Sequence, residues 1–502
     1  MARAIGFDNE KYLEEQVSFI FERAASCEKL YLEFGGKLLW DYHAARVLPG
    51  YDPNVKARLL ERLGERAEVV LCIHAGDIER RKLRSDFGIT YDADALKIID
   101  ELAERGVRTA GVVITRYDDQ SSAAQFRAKL ERLGHPVFIH RATKGYPNDV
   151  DLIVSPEGYG ANPYIPTTKP IVVVTGPGPG SGKLATALTL LYHDRSAGRP
   201  AAYSKFETFP VWNLPLKHPV NVAYEAATAD LGDFNCVDPF HLEAYGTASI
   251  NYNRDVEVFP VLSRILQRLG DGEVFRSPTD MGVNRIASGI VDDGACRAAA
   301  AQEIIRRRFR IAAEYALGIC DAAPLRRVDA IMEALELKNE QRSVVLPARR
   351  AAAEAAAGKG NDGIYCGAAI ELADGRIVTG KNSRLFHAAG AVVLNAAKLL
   401  AGIPDRIHLL PPVVTSSLGN LKLDVLGRKS ESLNLDETLV ALAVSAAMNP
   451  AAQAAVEALK QLDGCEIHLS HFPGPGDEAG LRNLGLNATS DPVFAGKAAP
   501  LP

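Results

Sequence analysis

The chain alternates between short runs of β-branched and other apolar residues and longer stretches with an apolar residue every three or four positions. Leu30 to Phe34 (LYLEF) and Val69 to His74 (VVLCIH) carry the first pattern and end in Gly35-Gly36-Lys37 and Ala75-Gly76-Asp77. Ala95 to Arg105 carries the second. It is followed by the strand pattern Thr109 to Thr115, a helix pattern over Ser122 to Leu133, and a strand over His135 to His140. Strands alternating with helices predict a parallel sheet covered on both faces, with ligands bound beyond the C-terminal strand ends. The residues at those ends are Gly36, Lys37, Asp77, Thr115, Arg116, Arg141 and Lys144, although each taken singly is more often a solvated loop position than a ligand contact.

The pattern changes character at Ile171 to Thr186, IVVVTGPGPGSGKLAT. A buried strand leads into Gly176, Gly178, Gly180, Ser181, Gly182 and Lys183, and then into an apolar helix. A glycine loop feeding a helix start aims several backbone N–H groups at one point, and the helix dipole and Lys183 add positive charge there. That is a phosphate cradle of the P-loop type. Two positions depart from the standard spacing. Pro177 stands where a glycine is usual, and Leu184 stands where Ser or Thr would hold Mg²⁺; Ser181 or Thr186 is the nearest substitute. A ligand-free strand-to-helix turn is the alternative, but such a turn has no need of four glycines and a lysine.

Downstream, three loops concentrate polar side chains between apolar elements: Lys205 to His218 (with Glu207), Asp238 to Tyr245 (with His241), and Thr279 to Arg285 (with Asp280 and Asn284). If all leave the same parallel sheet, they converge on the glycine loop. Lys183, Asp238, His241, Glu207 and Asp280 are then the catalytic candidates. Lys205, Asn284, Arg285, Gly36 and Lys37 line the pocket, and Asp238 and Asp280 hold Mg²⁺ through oxygen. Glu207 or His241 would be the general base.

The C-terminal region opens with a hairpin signal, Ile364 to Leu372 and Arg376 to Thr379 around Asp374-Gly375. A helix over Phe386 to Ala401 and a strand over Ile407 to Leu410 follow. The expected organisation is α/β throughout, with parallel three-layer sheets that are Rossmann-like over 1–165 and P-loop-like over 166–335. A helical linker over 336–360 and a smaller α/β domain over 361–502 complete it.

Composition narrows the function classes. With 502 residues, 47% hydrophobic and 24% charged, the chain is an ordinary globular protein of more than one domain. A net charge of -5 supplies no global attraction for nucleic acid or an acidic membrane. The seven cysteines are scattered, with no C-x-x-C pair, which argues against a disulfide framework and for a reducing compartment. No apolar signal core begins the chain and no run reaches a membrane span, so a cytoplasmic protein, expected to be a homo-oligomer, is anticipated.

Two resemblances add to this. The strings LEFGGKLL, HAGDIERRKLRSDFGITYD, VVVTGPGPGSGKLAT, KFETFPVWNLPLKHPVNVAYEAAT and SPTDMGVNR are similar to those of a bacterial family of uncharacterised function whose members are of about this length. That resemblance spans nearly the whole chain and implies a cytoplasmic bacterial protein. GAAIELADGRIVTGKNS, HAAGAVVLNAAK and PPVVTSS resemble in layout the cytidine deaminase-like domains, whose zinc is held by a His or Cys and two later cysteines. Only His387 carries over. Ala389 replaces the proton-moving Glu, and Pro412-Val-Val-Thr415 replaces P-C-x-x-C, so no zinc is expected. His468 and His471, three apart on a strand, would face opposite sides.

Two functions compete. One is an enzyme of phosphoryl-transfer or ligase type, acting on a nucleotide or other phosphorylated small molecule with Mg²⁺. The other is a non-catalytic metabolite sensor or scaffold, favoured by Leu184.

Overall fold

The computed structural model describes residues 5–84, 87–270, 275–358, 360–361 and 363–495. The described residues form two compact units, one over 5–301 and one from residue 302. In the first, seven strands make one sheet in which every neighbouring pair is parallel. Their order is Gly282–Val283, Ala201–Phe206, Lys29–Phe34, Ile171–Thr175, Ala67–His74, Thr109–Thr115, Val137–His140. Tyr31, Val70, Cys72, Val172 and Val174 on one face share a core with Leu188, Leu191, Leu262 and Ile265 of helices Lys183–Ser196 and Asn253–Arg268. Each fully buried Leu or Ile there contributes about 1.5–3 kcal/mol of transfer free energy.

The order contains a switch point. Ile171–Thr175 inserts between Lys29–Phe34 and Ala67–His74, and the chain then crosses to Ala201–Phe206 on the far side of Lys29–Phe34. The connections leaving Lys29–Phe34 and Ile171–Thr175 therefore run in opposite directions. Such a divergence opens a crevice at the C-terminal strand ends. The loops at its mouth are Gly35-Gly36-Lys37 and the glycine loop.

Three expectations about the first 360 residues need correction. The division at 165/166 does not separate two sheets, because Ile171–Thr175 sits in the middle of the sheet built by the earlier strands. The run ending at Asp238 lies outside that sheet: Asn235–Val237 pairs antiparallel with Ile250–Tyr252. The segment 336–360 is no free linker. Its helix Val345–Ala356 packs so closely on strand Gly367–Glu371 that Gly367 has no room for a Cβ against the Ala348 carbonyl. Arg342, 1% exposed, donates to the carbonyls of Asn487 (2.7 Å) and Ile467 (3.3 Å).

The second unit holds a four-stranded sheet, ordered Ile377–Lys381, Gly367–Glu371, Glu466–Leu469, Asn487–Ser490. The first two pairings are antiparallel and the last is parallel. The Asp374-Gly375 turn closes the hairpin with Gly375 at φ +85°, and helix Ala388–Leu400 follows. Residues 407–410 form no strand. Leu409 and Leu410 instead enter a core with Leu394, Leu433 and Leu442. Pro411 and Pro412 come next, and neither has the N–H a ladder requires.

Candidate anion-binding site

The glycine loop leaves the central strand Ile171–Thr175 and ends at Gly182, in the left-handed conformation, immediately before helix Lys183–Ser196. Three of its four glycines are fixed by close packing. A Cβ at Gly176 would meet the Cys72 carbonyl, one at Gly178 the Tyr91 phenol, and one at Gly182 the Thr115 side chain. Gly180, at φ +75°, faces open space. Thr115 Oγ1 donates to the Ser181 carbonyl at 2.8 Å, pinning the loop to the neighbouring strand end.

Two left-handed residues, Gly180 and Gly182, flank the buried Ser181. Among the described residues, no group accepts from the backbone N–H of Gly180, Ser181, Gly182 or Lys183. Ser181 and Lys183 are buried, Gly182 is half-buried and Gly180 is exposed, so this run of unpartnered N–H groups at a helix start opens towards solvent and can form a concave anion nest. Lys183 is 9% exposed, and its Nζ donates to the Gly178 carbonyl (3.2 Å) and Ser181 Oγ (3.4 Å). Burial lowers its pKa, while the charge of Glu33 opposes the shift. Thr186 is fully buried, and its hydroxyl has no hydrogen-bond partner among the described residues.

Beside Lys183 the sheet carries a charged group of its own. Glu33 and Lys205 are direct register partners on adjacent strands. Tyr203, two residues before Lys205 and so on the same face, donates to Glu33 Oε2 at 2.6 Å. Lys205 Nζ bridges Asp255 (2.5 Å) and Glu207 (2.8 Å). Desolvation pushes Glu207 up to about 7; the Lys205 charge pulls against this and the Asp255 charge adds to it. Burial works against the Lys205 ammonium, yet Asp255 and then Glu207 raise its pKa above the ordinary value. The Glu207 side chain keeps 16% exposure, so protons reach it from solvent. Gly35 accommodates the Glu207 carboxylate where a Cβ would collide with it.

Of the expected residues, the loop glycines, Ser181, Lys183, Lys205 and Glu207 thus come together. Gly36 lies against the buried Lys56 ammonium, which donates to the Lys37 carbonyl (2.9 Å) and Asp41 (2.9 Å). Asp238, His241 and Asp280 form a group of their own. Asp238 caps helix Pro239–Tyr245 by accepting from the His241 N–H (3.0 Å), and its other oxygen accepts from Thr279 Oγ1 (2.6 Å). Asp280 accepts from Tyr245 (2.6 Å) and the Arg276 N–H (3.0 Å). It also precedes its strand, whereas Lys183 follows one.

These carboxylates do not fit the expected Mg²⁺ site: both oxygens of Asp238 and Oδ2 of Asp280 are taken by protein donors. No group of three or more His, Cys, Asp or Glu suited to a metal ion occurs among the described residues. Asn284 donates to the Pro210 carbonyl at 3.2 Å and shares a cavity with Arg285. Arg285 stacks on Phe19 at 3.8 Å and lines a separate cavity of about 390 Å³ with Glu15, Trp212 and Asn213. Glu33 and Tyr203 were not singled out by the sequence; the available signal was a charged residue at an inward position of LYLEF.

The geometry can be set beside known proteins. Residues 5–336 match the family model described as "Domain of unknown function DUF1846, N-terminal", and 340–499 match "Domain of unknown function DUF1846, C-terminal". The chain belongs to the DUF1846 family. A "UPF0371 protein" of Clostridium tetani (strain Massachusetts / E88) is 53% identical over 491 residues, covering 98% of each chain. One of Clostridium botulinum (strain Alaska E43 / Type E3) is 54% identical over the same length and coverage. The family resemblance expected from the sequence strings is thereby shown. No helix among the described residues is long and apolar enough to cross a membrane.

Proposed function

We propose that this DUF1846 protein binds the phosphate of a nucleotide or other phosphorylated small molecule at residues 176–183, and that it acts on it as a phosphoryl-transfer or ligase-type enzyme. The observation that carries the reading is the run of unclaimed N–H groups from Gly180 to Lys183, set at the switch point of a parallel sheet. In this reading Lys183 leaves the Gly178 carbonyl and neutralises charge on the bound phosphate together with the loop amides. Glu207, ionised above about pH 7, takes the proton of the attacking hydroxyl. Lys205, itself anchored by Asp255, holds Glu207 in place. Magnesium is not assigned to Asp238 and Asp280.

Leu184 and the inward turn of Lys183 support a second reading, a sensor that binds without turnover. Calorimetry with pyrophosphate and ATP, followed by ³¹P NMR of the same samples, separates the two. Binding with product formation supports the enzyme, and binding with unchanged phosphorus signals supports the sensor. No binding of either compound sinks both.

A further inference from the structure

The second unit carries an acid–imidazole pair that the glycine-loop reading does not use. His387 lies immediately before helix Ala388–Leu400, and its Nδ1 is 2.7 Å from Asp477 Oδ2. Asp477 is 1% exposed, and its other oxygen accepts from the Leu435 N–H at 2.8 Å. The carboxylate therefore fixes the Nδ1–H tautomer and orientation of the ring. His387 keeps 39% side-chain exposure, which leaves Nε2 open to a ligand.

The helix behind it has no side-chain cap hydrogen bond. Its first turn, Ala388-Ala389-Gly390, offers no side-chain acceptor of its own for the orphan N–H groups. Gly390 lets that turn approach Thr438 closely. A separate observation points the same way. His471 is 8% exposed, its Nδ1 has no hydrogen-bond partner, and the charges of Asp477 and His387 act on it. Burial holds its pKa down at about 4, so it is neutral and presents an unused polar atom beside the pair. Behind it, Asp491 is taken up by Arg349 at 2.7 and 3.0 Å and lies 3.5 Å from His468.

From this we infer that the second unit holds an oxyanion, a carboxylate or a phosphate- or sulfate-type group, between His387 Nε2 and the first-turn amides of helix Ala388–Leu400. The protonated ring donates from Nε2, Asp477 balances its charge, and the helix dipole favours the anion. The site is independent of the glycine loop.

The test uses the full chain with ¹³Cε1-labelled histidine, titrated in pH with and without sulfate, and separately with acetate. An anion that prefers protonated His387 must raise its midpoint by linkage, here by roughly 0.5 unit or more. Sulfate alone raising it assigns the site to tetrahedral anions; acetate acting equally assigns it to carboxylates. The shift should survive Lys183→Ala, which removes the glycine-loop charge, and vanish in Asp477→Asn, whose amide oxygen can still accept from Leu435. A His387 midpoint that neither anion moves overturns the proposal, as does a shift that Lys183→Ala abolishes.

Discussion

Two polar groups in the first unit look alike in sequence and differ in what they leave undone. Asp238, His241, Thr279 and Asp280 sit in a closed polar network: both Asp238 oxygens are taken by protein donors, and Asp280 Oδ2 accepts from Tyr245 and the Arg276 N–H. Glu33, Lys205, Glu207 and Asp255 instead combine three carboxylates with one lysine, next to amides that have no acceptor. The first group holds loops together. The second keeps a titratable carboxylate, Glu207, at a strand end beside amides that no protein acceptor claims, so its protonation can tune how an anion binds there. Density of acidic and amide residues does not distinguish a cap from a site; the account of donors and acceptors does.

The largest effect should come from Asp238→Ala. It strips a helix cap and removes the acceptor of the buried Thr279 hydroxyl and N–H, leaving Thr279 only longer contacts with Ser249 (3.3 Å) and Asn251 (3.4 Å), and should cost about 3 kcal/mol of stability by urea unfolding. Calorimetry of the folded fraction should show pyrophosphate binding unchanged. Weakened binding with intact stability would place Asp238 at the ligand and dissolve the contrast. Next is Lys183→Ala, which should weaken pyrophosphate binding by about 1.5–3 kcal/mol, the scale of a charge-assisted hydrogen bond. Unchanged affinity would remove the loop from the site.

Glu207→Gln sharpens the comparison through pH. The folded-state value of Glu207 is about 7, against an ordinary 4.5. A carboxyl raised on folding binds more protons folded than unfolded between those values. Its contribution to stability is therefore present at low pH and is lost as pH rises to about 7. Glu207→Gln should flatten that decline. The same ionisation adds negative charge near Lys183, so sulfate, which does not titrate here, should bind several-fold more weakly at about pH 8 than at about pH 6. In Glu207→Gln the two affinities should be equal; a persistent difference would assign the titration elsewhere. Smallest is Tyr245→Phe. It removes the half-exposed donor to Asp280 and should cost about 0.5 kcal/mol with no change in anion binding.

The sequence by itself determined the strand and helix segments of the first unit and the strand–glycine loop–helix unit. Those features are written in local periodicity and in the backbone freedom of Gly180 and Gly182. It also carried Lys205 and Glu207, because charged residues directly at an apolar strand end are visible as such. Tertiary structure alone decided which strand ends are neighbours. The pairing of Glu33 with Lys205 joins residues far apart in the chain, and the switch point at Ile171–Thr175 depends on an insertion that no local pattern records. It also decided that Asn235–Val237 leaves the main sheet, that 336–360 packs into the second unit, and that Leu409 and Leu410 enter a helical core. His387 meets Asp477 for the same reason: ninety residues apart, they come together only through packing around the second sheet. Periodicity reports which face of an element is buried, while the partner of that face is set by global packing, which a single chain's pattern does not encode.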